Sequence, residues 1–470
     1  MSTEKDGTPA WDLRDKKHPF TPGVLVSPRH VLGVGSYRVL VSLVFLVPFV
    51  AILLLQGIVW TRSLPDTPLE AVLIFLTVPW SLQLLSAIPG LIGLFLYRPE
   101  RPRFVPLRPF DKLVCYRVVS RGHNLTALRQ TVQSIRAEMQ HLPLFPYRIE
   151  VVTDLEVDPG RGDDLVHLVV PKSYRTPNGT RYKARALQYA LEHSDLPDDA
   201  WIMHLDEESH VSPQVIRGIQ NAVAEEEQSG GHRIGQGTIL YYRTLRGHPF
   251  FTLADSIRTG DDLGRFHLQH RLGVTLFGLH GSFILVRNSL EQAIGFDLGP
   301  AGSVTEDAFW ALLAMDRGYR CRWVDGYVVE QAPRSVWDFL KQRRRWFLGL
   351  VLAVRHAPVA VRYRLVLGLA VAVWAVSWVG IFYAWVNLVL GLSSWWPVQV
   401  TGDLGWAFYI VLYVIGLKLN LDDHGEIGWL RRVVYYAAQV MLIPVFALLE
   451  GAGVLYGIIR PTFDYHVIRK

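Results

Sequence analysis

Two acidic clusters and one basic stretch hold the residue types that could do chemistry. Asp206–Glu207–Glu208 follows Trp201–Leu205, an apolar run that reads as a strand. Strand alternation puts Asp206 and Glu208 on one side, where two hard oxygen donors could share Mg2+ or Mn2+ with a diphosphate. His204 and His210 have the same parity, so a Zn2+ hydrolase site competes, although His204 lies within the apolar strand and no further ligand cluster stands out. A solvated acidic loop is the non-chemical alternative. Glu306–Asp307 follows Thr305, an expected N-cap for the helix Ala308–Met315; acids in a first turn suit the helix dipole, which explains one carboxylate better than two. Lys341–Gln342–Arg343–Arg344–Arg345–Trp346 lies in an amphipathic stretch with Val336, Phe339, Leu340, Phe347 and Leu350 on its apolar side. An interfacial helix with basic residues at headgroup level explains part of that pattern, but not Gln342 and Trp346 one turn apart.

The surrounding sequence has to position these groups. Residues 106–335 alternate short apolar runs with amphipathic stretches, the pattern of a mainly parallel sheet with crossover helices. Strands are expected at Leu113–Val119, Tyr147–Thr153 and Trp201–Leu205, and helices from Asn124, over Lys183–His193 and from Ser212–Pro213. Ligands of such sheets sit beyond the carboxyl ends of the strands. Two more candidates lie there, Ser120–Arg121–Gly122 and Asp154. A strand-end carboxylate such as Asp154 can accept from a nucleobase N–H, while an Asx turn is its ordinary alternative.

Outside this region the 470-residue chain is apolar yet basic, with 50% hydrophobic and 19% charged residues and a formal net charge of +6. Disordered, collagen-like and disulfide-stapled classes are excluded, the last because there are only two cysteines, Cys115 and Cys321. The apolar residues are clustered. Val39–Trp60 carries no charge over about 22 residues, roughly 33 Å of helix and enough to cross a bilayer. Ala71–Tyr97 follows, interrupted by Pro79 and Pro89. Leu365–Gly402, with an outer loop at Ser393–Pro397, the shorter Leu404–Leu417, and Val433–Ile459 complete four or five spans. The first run is not read as a cleavable signal, since no small-residue cleavage site follows it. Arg14, Lys16, Lys17, Arg29 and Arg38 precede the first span and Arg98, Arg101, Arg103 and Arg108 follow the second, against Arg62 alone in the hairpin between them. Residues 98–362 are therefore expected on the cytoplasmic side, as the basic loop with Lys418, Arg431 and Arg432 also implies. Pro444, Glu450, Gly451 and Gly453 suggest a broken or re-entrant last segment, which would keep Arg460, Arg469 and Lys470 inside.

Taken in order, Asp154, the Lys183–Leu187 Lys-x-x-Ala-Leu helix, Asp206–Glu207–Glu208, Thr305–Glu306–Asp307 and Gln342-x-x-Arg345–Trp346 resemble the membrane-embedded family 2 glycosyltransferases. Arg117–Gly122, Arg185–Tyr189, His204–Glu208, Gly235–Gly237, Leu253–Ser256 and Asp261–Asp262 narrow the likeness to the Egghead-type β-1,4-mannosyltransferases, over roughly residues 113–355. The resemblance implies an α/β fold, a GT-A (Rossmann-like) cytoplasmic domain flanked by transmembrane helices and an amphipathic interface helix. The implied division is a cytoplasmic segment (1–38), two transmembrane helices (39–97), the catalytic domain (98–333), the interface helix (334–362), two or three membrane segments (363–459) and a basic tail (460–470). It implies GDP-mannose as donor, Mg2+ or Mn2+ on Asp206 and Glu208, and inversion with Asp307 as general base and Glu306 beside it. Topology argues the acceptor side: a cleft followed within a turn or two by an interfacial amphipathic helix suits a glucosyl lipid whose headgroup projects from the cytoplasmic leaflet.

Ser120, Arg121, Asp154, Lys183, Arg185, Asp206, Gln342 and Arg345 would hold the donor, and Trp346, His280, Gly281 and Ser282 the acceptor. Val304 and His280 depart from the family pattern on the acceptor side. One strand-end carboxylate suits guanine or uracil equally, so the base follows from the resemblance alone. A processive polysaccharide synthase and a non-catalytic membrane scaffold are the competing functions. No nucleic-acid partner is required, and self-association is not legible.

Overall fold

The computed structural model describes residues 34–56, 67–99, 110–245, 247–390, 396–424 and 427–462. The flanking basic residues Arg14, Lys16, Lys17, Arg29, Arg62, Arg101, Arg103, Arg108, Arg469 and Lys470, and most of the 393–397 loop, lie outside them.

Helix α1 is Val34–Gln56. The second apolar run forms two helices instead of one, α2 (Pro68–Ser81) and α3 (Leu84–Leu96), with a turn at Leu82–Gln83. Each contains a proline, which removes a backbone donor and weakens a continuous helix. The Gln83 carboxamide oxygen accepts from the Tyr409 hydroxyl at 2.5 Å, anchoring the turn. Beyond it α3 turns onto the α/β region, where the His267 ring donates to the Gly93 carbonyl at 3.1 Å.

That region begins with strand β1 (Val114–Ser120), helix α4 (Leu125–His141), β2 (Tyr147–Thr153) and β3 (Leu165–Val169). Helix α5 (Tyr182–His193), β4 (Trp201–Asp206), β5 (His210–Val211), α6 (Pro213–Ser229) and β6 (Ile234–Leu240) continue it. Helix α7 (Pro249–Asp261) runs through a π-turn at Asp262–Phe266 into α8 (His267–Leu272). Then come β7 (Ile284–Arg287), α9 (Asn288–Ile294), α10 (Gly299–Gly302), α11 (Glu306–Asp316) and β8 (Cys321–Val329). The strands form one sheet in the order β3-β2-β1-β4-β7-β6-β8-β5. The first four are parallel, and β7 runs antiparallel to β4 and β6. β1 is buried along its whole length, and its alternate residues feed two cores. Val114, Tyr116 and Val118 pack with Leu128 and Ile135, whereas Cys115 and Val119 pack with Leu187 and Trp310. The register matches Ser120 to Thr153 and Val119 to Asp206, so the polar ends of β1, β2 and β4 converge.

Helix α12 (Val336–His356) is capped by Ser335, whose hydroxyl oxygen accepts from the Asp338 N–H at 3.1 Å. Much of its apolar side is buried against protein: Phe339 packs with Ile443 and Phe446, and Phe347 with Val454. Helices α13 (Val361–Leu390), α14 (Trp396–His424) and α15 (Trp429–Ile459) follow. Among the described residues, four helices are long and apolar enough to cross a membrane: Val34–Leu54, Val361–Phe382, Trp396–His424 and Trp429–Ile459.

Two sequence expectations change here. The short run at Leu404–Leu417 is the middle of a 29-residue helix whose polar residues are paired, Lys418 with Asp422 and the Asn420 amide oxygen with the Tyr241 N–H at 2.6 Å. The last segment is an unbroken 31-residue helix with Pro444 inside it. Its small and acidic residues serve packing, since Glu450 accepts from Arg343 Nε at 2.7 Å and a Cβ on Gly453 would lie 2.5 Å from the Arg343 Cβ.

Candidate active site

Lys183 gathers the site. It is the second residue of α5, after Tyr182, a non-glycine residue at φ 54°. Its ammonium donates to Asp206 at the end of β4 and to the Gly281 carbonyl at 2.6 Å, and lies 3.6 Å from Glu306 Oε1. Phe283, at φ 59°, follows the loop that supplies Gly281. Left-handed backbone at bulky residues costs free energy and persists where surrounding structure imposes it, which is common at functional sites. Gly281 is small for a reason, since a Cβ there would stand 3.2 Å from both Asp307 Oδ2 and Lys183 Nζ. Strand β4, helix α5, the 280–282 loop and the start of α11 thus meet at one point.

Burial pushes the Glu306 carboxyl up to about 7 against the pull of Lys183, and it also raises Asp307 above the ordinary aspartate range. Asp307 Oδ1 accepts from the Ala308 N–H at 2.7 Å. Thr305 occupies the cap position of α11 but makes no capping bond, and its buried hydroxyl has no hydrogen-bond partner among the described residues. Gly349 of α12 approaches it so closely that any Cβ there would clash. The expected cap is therefore a packing contact that joins α11 to α12.

A cavity of about 420 Å³ joins these groups to the helices. At one end it is lined by Lys183, Asp206, His280, Gly281, Ser282, Glu306 and Asp307, and α12 adds Gln342, Arg343, Arg345 and Trp346. It continues between Gln83, Trp374 and Ser377 of α13, Trp406 and Tyr409 of α14, and Glu450 of α15. His280 Nε2 meets Asp262 Oδ1 at 2.5 Å, and its ring packs on Phe266. Ser282 accepts from the Ser209 hydroxyl at 3.3 Å. Gln342 Oε1 accepts from Arg343 at 2.5 Å. The Trp346 ring has the Arg258 and Arg343 guanidiniums 4.3 and 4.7 Å from its centre.

The remaining predicted donor residues form a separate, more open group. Arg185 donates to Asp154 at 2.9 Å and to the Tyr174 carbonyl, so it stands with the strand-end carboxylate and does not line the cavity. Ser120 donates to Glu207, and Arg121 is exposed on the following loop. Asp206 is half-exposed toward the cavity, while Glu208 is buried and its carbonyl accepts from Arg243 at 2.7 Å. Of the two predicted metal ligands only Asp206 lines the cavity, where Lys183 already holds it, and Glu208 does not; no group of three or more candidate ligands exists among the described residues, so an ion on these two acids would need further oxygen donors from a diphosphate. His204 is not available for Zn2+, because its Nε2 lies 2.7 Å from the buried Glu291 carboxylate.

Sequence reasoning missed Arg258, Arg265 and the ionic role of Arg343. Arg343 donates to Asp255 at 2.6 Å and Glu450 at 2.7 Å, and Arg265 to Asp261 at 2.7 Å. The acids of α7 fall within the Leu253–Ser256 and Asp261–Asp262 motifs, but nothing local shows that α7 faces the cavity.

A mixed sheet with lysine and carboxylates at its strand ends, in a chain whose residues 201–420 match the family described as Glycosyl transferase family group 2, defines a glycosyltransferase of GT-A architecture. The chain is 30% identical to β-1,4-mannosyltransferase bre-3 of Caenorhabditis elegans over 417 residues, covering 88% of this chain and 89% of the relative. It is 34% identical to β-1,4-mannosyltransferase egh of Drosophila melanogaster over 371 residues, covering 77% and 79%. It belongs to the family of these proteins. Among solved structures, the mannosyltransferase PcManGT from Pyrobaculum calidifontis, in complex with GDP-Man and Mn2+, is similar at 16% identity and a TM-score of 0.47, over 83% of this chain and 99% of that one.

Proposed function

We propose that the chain transfers one mannose from GDP-mannose to a glucosyl lipid at the cytoplasmic membrane face, forming a β-1,4 linkage with inversion. The observation that carries this reading is the cavity leading from Asp307 and Lys183 into helices long and apolar enough to cross a membrane. A lipid-borne sugar can enter there from the bilayer while its donor approaches from the sheet. The names of the relatives support mannose as the transferred sugar and β-1,4 as the linkage.

In this scheme Ser120, Arg121, Asp154 and Arg185 hold the nucleoside, and Lys183, Gln342 and Arg345 the diphosphate. Arginine and lysine suit phosphate oxygens, the former bidentately. Mg2+ or Mn2+ on Asp206 and Glu208 would supply Lewis-acid neutralisation of the departing GDP. Asp307 accepts the proton of the acceptor hydroxyl, which attacks the anomeric carbon from the face opposite the diphosphate. Glu306 keeps Lys183 in place between the carboxylates. His280, Gly281, Ser282 and Trp346 border the acceptor, with residues 98–333 as catalytic domain and 334–362 as the helix at the membrane face.

The test is purified full-length protein with Mg2+ or Mn2+, GDP-mannose or UDP-sugars, and a panel of glucosyl lipids. One mannose per glucosyl lipid, with equal release of GDP, is expected. A ladder of long chains would assign a processive synthase instead, and absence of transfer from GDP-mannose would overturn the donor.

A further inference from the structure

We infer that Arg258 reads the acceptor sugar, its guanidinium fork binding a pair of neighbouring hydroxyls; the inference rests on the glucosyl-lipid reading above. Besides Arg345, three arginines line the cavity, namely Arg258, Arg265 and Arg343. Arg343 is matched by Asp255 and Glu450, and Arg265 by Asp261. The Arg258 side chain makes no ion pair or hydrogen bond among the described residues, and the carboxylates of Asp255 and Glu330 act on it only through their charge. Instead its guanidinium is clasped by two rings, 4.9 Å from the centre of Tyr241 and 4.3 Å from that of Trp346. Stacking fixes the plane of the fork and leaves its five N–H donors at the edge.

The ligand class follows from the lining. An arginine outside the ion pairs would suit an anion, yet the cavity wall as a whole carries five lysines and arginines against six aspartates and glutamates. An added negative headgroup would meet more acid than base. A neutral hexose meets the arginine with hydroxyl oxygens, meets the carboxylates with hydroxyl hydrogens, and lays its C–H faces on Trp374 and Trp406 of the cavity wall. Arg258 stands on α7 and the carboxylates Glu306 and Asp307 on α11, two elements of the same cavity wall. It would orient the sugar so that one hydroxyl alone faces Asp307, which makes it a specificity-determining residue and not part of the chemical step.

The experiment measures binding without chemistry. A short-chain glucosyl lipid is titrated against the purified full-length protein in detergent without donor, followed by intrinsic tryptophan fluorescence, for wild type, Arg258→Gln and Arg258→Lys. Loss of a charge-assisted pair of bonds should weaken glucosyl-lipid affinity about tenfold or more in Arg258→Gln. Arg258→Lys, which keeps the charge and loses the planar fork, should fall between the two and gives the reading if Arg258→Gln does not fold. GDP-mannose affinity, measured in parallel, should stay within about twofold, since each 1.4 kcal/mol is tenfold. Unchanged glucosyl-lipid affinity in the variants would overturn the assignment. A comparable loss of GDP-mannose affinity would place Arg258 on the donor instead. Wild-type protein that binds no glucosyl lipid would overturn the acceptor reading itself, a result distinct from either.

Discussion

Arg117 and Arg343 are both almost completely buried, and each meets two carboxylates. Their surroundings differ in kind. Arg117 sits in the middle of β1 with Glu150 of β2 and Glu291 of α9; Glu291 also holds His204 of β4, and Glu150 accepts from Ser194. All three ionic side chains are sealed at 0% exposure, and the network does not line the cavity. Arg343 joins α7, α12 and α15, stacks on Phe339 at 3.9 Å, and forms part of the cavity wall with Glu450. A buried ion pair is therefore not a site by itself. The first network knits one sheet; the second ties α7 and α12 to the last apolar helix at the cavity wall.

Substitutions can separate these two roles. Arg117→Met leaves Glu150 and Glu291 buried without their cation, and should cost about 3–5 kcal/mol of stability. Folded yield and unfolding midpoint should drop, while the remaining folded enzyme keeps its KM values. A stable variant with an altered KM would break the comparison. Glu450→Gln keeps the shape and weakens one charged hydrogen bond, worth about 1.5–3 kcal/mol. Here steady-state kinetics should show a loss of about tenfold to a hundredfold in transfer with the sheet intact by circular dichroism. Loss of folding without a kinetic defect would instead place Arg343 in the same class as Arg117.

Two further predictions act on the junction between α11 and α12. Gly349→Ala would force a methyl against Thr305 and displace the start of α11. Overpacking of this kind costs about 1–3 kcal/mol, and kcat should fall with little change in donor KM. The smallest effect is expected from pH. Burial raises Asp307 and pushes Glu306 to about 7. A raised carboxylate pKa means that protonation, and with it loss of the base, begins at a higher pH than for a solvated aspartate. Transfer should therefore rise with pH up to the neutral range and then level off, by at most about tenfold per pH unit on the acid limb. A rate independent of pH from acid to neutral would argue against a buried base.

Local patterns were legible in the sequence. Tyr147–Thr153 is the observed β2, Asn124 caps α4 by accepting from the Ala127 N–H at 3.2 Å, and Ser212 caps α6 at 3.2 Å to Val215. These depend on two- and 3.6-residue periodicity and on a side chain reaching its own helix. What escaped depends on neighbours distant in the chain. In the basic run 341–346 nothing local marks Arg343 as the buried cation, because Asp255 and Glu450 lie far away in sequence. Thr305 has the residue type of a cap and loses the bond to Gly349 packing. The break expected near Pro444 is absent because Arg343 and close helix contacts satisfy Glu450 and the glycines beside it. Motif order is what singled out the candidate site residues; the cavity that joins some of them to the apolar helices has no local signature, because its wall comes from elements far apart in the chain.

Asp307 as the base at the mouth of that cavity is the central claim. Mannosyl transfer from GDP-mannose to a glucosyl lipid by Asp307→Asn tests it directly, with GDP-mannose affinity measured alongside. In this variant kcat should fall by about a hundredfold or more with donor affinity retained. Near-wild-type transfer by Asp307→Asn would contradict it.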